Sequence, residues 1–462
     1  MQLADCRRSD QFEKLSRRRL LTLLLLVYMV NYADRMTISV LGEAIKHELR
    51  LSDTQLGMLG GTAFTILYVL ASFPIGRLVE RYSRVSIMWM AIGLWSIATI
   101  ACGFTHNFWQ LALCRAAVGV GEGAFIPAVL SLLSDYFPAN RRASAYSIIV
   151  LGLPLGGTIG AIAGGWIAGR YGWHTAFIVI GLPGLIMAFV IRQMLREPPR
   201  GLSDGMVGAD TEAPPSMGHV FRTLWKNSTF VNLTLGGGMV QIVAYAIALF
   251  LFPYLTRNFG LSYALAGLVV GTVTGASLAI GILAGGLISD RLGGRDVRWY
   301  GWTPAIAMLV AFPLYLASLF QGNWLVTSIL LFVPSAVASA FAPTIAATIQ
   351  GLVPPRMRGT TAALNGACNH LISLGLGATL VGFAADCFTK LSFSMRTNGM
   401  AYGRLCGADG PAGFASICTD ASGEGLRLSL LALSIFLLWG ALHFWIASRS
   451  LRCDLSPGRA VA

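Results

Sequence analysis

Charged residues make up only 12% of this 462-residue chain, against roughly 25% in an ordinary soluble domain. Apolar residues reach 55% and mean hydropathy +0.66, so a soluble globular core is excluded. The eight cysteines include no CxxC pair and no Cys/His spacing that would hold a metal, which leaves metal and cofactor sites without a basis. Nucleotide drive is equally unsupported, because the glycine-rich stretch GVGEG at 119–123 lacks the Lys and Ser/Thr of a phosphate loop. A membrane enzyme would need a cluster of Ser, His or metal ligands near one membrane face. With His370 isolated and no HxxxxD string, that reading is remote, as is a sensor without transport.

What is present is a series of long apolar runs. Twelve of them, each about long enough to cross 30 Å of hydrocarbon, lie near residues 20–41, 54–79, 86–104, 108–136, 142–169, 174–195, 228–256, 263–289, 299–320, 324–352, 358–385 and 426–447. The expected fold is an all-α membrane protein. With both termini inside, the inner segments carry 24 Lys and Arg and the outer segments eight, the distribution cytoplasmic retention of positive charge produces. The net charge of +13 is therefore read as topology and not as nucleic-acid binding. The basic leader ending in Arg17, Arg18 and Arg19 precedes a run too long for a signal peptide and is expected to be retained.

After span 11 a long outer loop is expected near 387–424. One disulfide is expected there among Cys387, Cys406 and Cys418, with the pairing left open. No N-x-S/T acceptor falls in an outer loop, which favours a bacterial inner membrane.

The polar stretch 196–226, opening REPPRG, divides the spans six and six. Two bundles are expected, 1–195 and 227–462, joined by this inner linker. GRLVERYSR from Gly76 echoes GGLISDRLGGR at an offset of 210, and FPANRRASA echoes VPPRMRGTTA at an offset of 216, with Pro138 matching Pro354 and Arg142 matching Arg358. Duplicated bundles with a site between them near the midplane suit alternating access.

Those strings also carry a family resemblance. GxxxxRxxR from Gly76, GxxxDRxGxR from Gly286 and RAAVGVGEG on span 4 resemble signature motifs of the major facilitator superfamily. NYADR on span 1, GVGEGAFIPA on span 4 and REPPRG resemble its spinster branch of sphingolipid and lysophospholipid transporters. The resemblance implies two pseudo-symmetric six-helix bundles. It also implies a gating role for Gly76, Glu80, Arg81, Arg84, Gly286, Asp290, Arg291 and Arg295. Here Glu80 stands for the usual Asp and Ser83 for the usual Gly.

Four ionisable residues lie deep inside the spans: Asp34, Arg35, Arg115 and Glu122. Such charges cost several kcal/mol to insert and are usually paired along a substrate or proton path. Burial disfavours an ionised carboxyl and a nearby Arg favours it, so an Arg that leaves for a substrate anion releases the acid to take a proton. Asp34 and Glu122 are the expected proton-coupling sites, as spinster carriers imply, with Arg35 the expected anion anchor and Arg115 a weaker candidate. Gln241 and Tyr245 share a face of span 7, and Asn365 and Asn369 a face of span 11, where they could meet a headgroup. The second half brings no charge to this depth, so the cavity is expected to be charged on one side and greasy on the other. The expected function is proton-coupled transport of a lysophospholipid or related amphiphilic lipid phosphate, with small organic anions or amphiphilic drugs as the alternative cargo. Substrate, protons and membrane lipids are the expected partners of a monomer without cofactor.

Overall fold

The computed structural model describes residues 2–137, 139–199, 217–353, 357–406 and 411–455, and among these there are helices and no strands. Eleven helices are long and apolar enough to cross a membrane. One of them, Ala145–Met194, has 50 residues, about 75 Å at 1.5 Å per residue, far beyond one crossing. Gly172 breaks it with φ +82°, a conformation that side chains disfavour, so it supplies two spans and the total is the expected twelve.

The spans are α1 (Arg17–Leu49), α2 (Asp53–Val79), α3 (Arg84–Cys102), α4 (Phe108–Tyr136), α5 (145–171), α6 (173–194), α7 (Ser228–Phe259), α8 (Tyr263–Gly293), α9 (Trp299–Leu319), α10 (Trp324–Gly351), α11 (Thr360–Arg396) and α12 (Ala415–Asp454). Their starts follow local capping chemistry. Ser52 and Gln55 form a reciprocal capping box at α2, and Asn107, Asn227, Ser262 and Asn323 accept a backbone N–H at α4, α7, α8 and α10.

At the far end, α11 runs on to Arg396 and α12 begins at Ala415. The expected 387–424 loop is thus mostly helical, because the Arg396 guanidinium holds Glu424 of α12 at 2.7 Å and Ser392 donates to the same carboxylate at 2.6 Å. Cys406 and Cys418 form the disulfide there, and Cys387 remains a free, exposed thiol.

The apolar core is divided unequally. In the half of the first bundle that the charge distribution assigns to the inside, called inner from here on, Leu24, Met88, Ile92, Leu132 and Ile191 are among the residues that form a core of their own. Outer-half residues of that bundle, among them Ile38, Leu41, Ile45, Leu56 and Leu59, instead merge with the core of the second bundle. The bundles therefore meet at the end that the charge distribution assigns to the outside. Three helix pairs make this seam. Ser39 of α1 donates to the Ala248 and Leu249 carbonyls of α7, Thr62 of α2 to the Gly375 carbonyl of α11 at 2.6 Å, and Thr158 of α5 to the Gly271 carbonyl of α8 at 3.0 Å. The seam coincides with π-helical turns at Met58–Thr62 in α2, Thr272–Ala276 in α8 and Leu371–Gly377 in α11. The first two begin 214 residues apart, within the register of the sequence echoes.

At the inner end each bundle has an ion-pair strut. Arg84, 1% exposed at the start of α3, pairs with Asp135 of α4 and with Glu197 just after α6 at 2.6 Å, and donates to the Pro198 carbonyl at 2.9 Å. In the second bundle Asp296, just before α9, pairs with Arg452 of α12 at 2.5 Å. REPPRG thus has a structural task, since Glu197 and Pro198 close the first bundle around Arg84.

Partial burial works against the Glu197 carboxylate, yet the Val85 backbone N–H at 2.9 Å, Arg84, and Ser83 at 2.8 Å hold it below the usual glutamate range. A lowered folded-state value means this contribution is complete above the unfolded glutamate range and lost as pH falls through the folded one. Glu197→Gln should cost about 1–2 kcal/mol as a lower melting temperature in detergent at pH 7. The gap between variant and parent should shrink as pH falls below about 4; a pH-independent gap would contradict this account.

Candidate functional site

Near the middle of the spans, between the bundles, lies a small cavity of about 40 Å³ lined by Tyr32, Arg35, Phe64 and Arg115 of the first bundle and Tyr245, Ala248, Leu249 and Leu374 of the second. Its charged lining comes from the first bundle alone.

The four intramembrane charges resolve into two acid–base pairs. Arg35 Nε donates to Glu122 Oε2 at 2.6 Å, and Arg115 Nη1 to Asp34 Oδ1 at 3.4 Å. Both pairs tie α1 to α4. Neighbouring residues on a helix point about 100° apart, so Arg35 turns to the cavity while Asp34 turns inward, where Thr99 of α3 also donates to it. Arg115 and Glu122, two turns apart, share one face of α4. The whole group can sit deep because Gly119 lets α4 press on α2; a Cβ there would lie 2.3 Å from the Phe64 carbonyl oxygen.

Aromatic rings complete the setting. The Arg35 guanidinium lies 5.1 Å from the Tyr32 and Phe64 ring centres and 5.4 Å from Tyr68, and Arg115 lies 5.5 Å from Phe64. Among the described residues, Glu122 Oε1 and Arg115 Nε have no hydrogen-bond partner. An unpaired buried polar atom is costly, so each pair holds spare capacity that a polar ligand or water can satisfy.

The second-bundle candidates divide. Tyr245 lines the cavity and Gln241 does not. Asn365 accepts from Thr234 of α7 at 3.0 Å and from Asn369 at 2.9 Å, so these amides join α7 to α11 and spend much of their capacity on each other. Asn369 Oδ1 has no hydrogen-bond partner among the described residues.

The expected gating residues also separate. Arg84 is enclosed by Asp135, Glu197 and Pro198, and among the described residues it bonds no residue of the second bundle. Arg81, Arg291 and Arg295 are exposed and form no ion pair among the described residues, while Gly76 and Gly286 lie on the partly exposed ends of α2 and α8. The side chains of Glu80, Asp290, Arg142 and Arg358 lie outside the described residues, as do Pro138 and Pro354.

The sequence reading missed a second charged network, at the outer end of the seam. Arg257 of α7 grips Glu43 of α1 at 2.8 Å and Asp53 of α2 at 2.7 Å, with Lys46 adding 2.8 Å to Asp53. Beside it, Asp386 of α11 accepts the Asp53 and Thr54 backbone N–H groups at 3.0 and 2.9 Å. Opposite charges at one expected depth in spans 1, 2 and 7 were the available signal.

Twelve spans in two bundles around a charged central cavity define a multi-pass membrane transporter, not an enzyme. The sequence model of the Major Facilitator Superfamily matches residues 24–378, and the chain belongs to that superfamily. Within it the chain is similar to an MFS-type efflux pump of Mycolicibacterium smegmatis, 28% identical over 433 residues that cover 94% of this chain and 92% of that one. Protein spinster homolog 1 of Homo sapiens is 28% identical over 377 residues, covering 78% and 71%. A solved bacterial homolog of the human lysosomal transporter spinster, inward-facing and unoccupied, superposes with a TM-score of 0.85 at 28% identity, covering 96% of this chain and 99% of that one.

Arg257 is the sole second-bundle base in the outer network among the described residues, and removing one partner of a buried pair costs about 3–5 kcal/mol. Arg257→Met should therefore loosen the outer seam. A cysteine at Ser39, behind the seam, should react with an externally added impermeant maleimide at least tenfold faster than in the Arg257 parent; an unchanged rate would show that the network does not hold this end shut.

Proposed function

We propose that this chain is a proton-coupled secondary carrier that works by alternating access on an amphiphilic anion, most specifically a lysophospholipid or related lipid phosphate. The Arg35–Glu122 pair in the cavity wall carries the reading. A planar guanidinium binds a phosphate or carboxylate bidentately and stays charged when buried. When a ligand anion takes Arg35, Glu122 is left buried without its base, and taking a proton removes that cost. Arg115, which also lines the cavity, offers the same exchange with Asp34. Tyr245, Ala248, Leu249 and Leu374 offer an acyl chain an apolar wall. The likeness to spinster proteins agrees with the family resemblance on which the expectation of that cargo class rests.

In this reading the Arg257 network is the outer lock and the structure is the inward-facing state, in a bacterial inner membrane with both termini cytoplasmic. The inner motif loops are parted in that state, and one chain suffices for transport. A second cargo, small organic anions or amphiphilic drugs, is favoured by the similarity to a protein named as an efflux pump.

Proteoliposomes with an imposed pH gradient separate these readings. Lysolipids should be moved and should compete, whereas sugar acids and cationic dyes should not; the reverse order would assign the second cargo. Glu122→Gln should abolish proton-driven flux while the protein still elutes as a folded monomer, and unaltered proton-driven uptake by that variant would sink the coupling mechanism. Arg35→Lys, which keeps the charge and loses the fork, should weaken substrate affinity by about tenfold or more.

A further inference from the structure

The linker helix Met217–Lys226 (MGHVFRTLWK) is absorbed by nothing in the transport reading, yet its surface is sharply sorted. Val220 and Leu224 are buried at 0% and 1% exposure, packed against α7 and α11. Phe221 and Trp225 are 44% and 51% exposed and stack on each other, ring centres 5.4 Å apart at 14°. At about 100° per residue the helix shows three sectors in order: the docked Val220 and Leu224, the stacked Phe221 and Trp225, then the exposed bases Arg222 and Lys226. It contains no acidic residue.

Its depth is fixed by the chain. A single residue, Asn227, separates it from α7, and Asn227 caps that span by accepting the Phe230 N–H at 2.8 Å. The helix therefore lies at the inner membrane boundary. Other interfacial side chains sit at the same end: Trp302 of α9 lies 6.3 Å from Trp445 of α12, and the Arg192 guanidinium 4.9 Å over Trp89. Aromatic rings and bases at one level mark the headgroup zone.

We propose that the linker helix is a docking surface for anionic lipid of the inner leaflet. Phe221 and Trp225 sink to the acyl boundary, and Arg222 and Lys226 hold lipid phosphates beside them. A lipid surface fits better than a protein partner because the aromatic sector continues an interfacial ring and the polar sector is uniformly basic. The covalent link between the bundles is thereby pinned to the membrane plane through the second bundle.

The test measures immersion depth. Phe221→Cys, with the cysteines outside the Cys406–Cys418 disulfide replaced by serine, carries a nitroxide in full-length protein. The protein is reconstituted into vesicles of phosphatidylcholine alone or with 30% phosphatidylglycerol. Expected is relaxation by oxygen over a water-soluble nickel chelate in the phosphatidylglycerol vesicles, lost in salt and with Arg222→Glu plus Lys226→Glu. A second label at Arg222→Cys, on the polar sector, should report shallower immersion and shows that the helix is formed. Chelate accessibility at position 221 in both lipids would overturn the proposal, and equal immersion with and without phosphatidylglycerol would overturn its anionic part.

Discussion

A guanidinium buried in hydrocarbon must be neutralised where it stands, and the pairing of Arg35 with Glu122 meets that demand inside one bundle. Much else depends on this choice. Because Arg115 and Asp34 are likewise paired within the first bundle, the second needs no charge at the cavity and can present tyrosine and aliphatic side chains. Near the cavity, cohesion between bundles is then left to hydroxyl-to-carbonyl contacts at Ser39, Thr62 and Thr158 and to close helix packing, the charged bridge of Arg257 lying at the far end of the seam. Such contacts are individually weak and can be remade, which suits a surface that must part and rejoin.

The outer network follows the same economy of charge. Arg257 bridges the bundles, but Asp53 keeps Lys46 and Glu43 keeps His47 at 3.2 Å within the first bundle. If the seam opens, Asp53 retains Lys46 and Glu43 retains a hydrogen-bonding neighbour in His47, so the acids are not left bare when Arg257 departs.

Hydrophobic run length made the twelve spans legible, and the cost of intramembrane charge singled out Asp34, Arg35, Arg115 and Glu122 before any fold was known. The split into pairs was not legible, because it depends on which side of α1 each neighbour faces once α3 supplies Thr99. Glu43, Asp53 and Arg257 escaped notice for another reason. They lie at span ends, where charge is unremarkable, and only the inter-bundle register brings them together. Arg84 illustrates the converse: the loop motif drew attention to it, but the motif's spacing does not reveal that Asp135 and Glu197 enclose it. The Asn365–Asn369 spacing correctly implied one shared face, yet that face meets α7, not the cavity.

The two inner struts occupy corresponding places in the halves with their signs exchanged. In the first bundle the base begins the third span and the acid follows the sixth; in the second the acid precedes the ninth and the base sits on the twelfth. A wrongly assembled chain that matched Arg84 with Arg452, or Glu197 with Asp296, would set like charges against each other. Duplicated halves of similar greasiness face a sorting problem as they leave the translocation machinery, since apolar packing alone scarcely tells one copy from the other. Reversed polarity gives each half an address of its own, favouring closure of each six-helix set on itself over pairing across the halves.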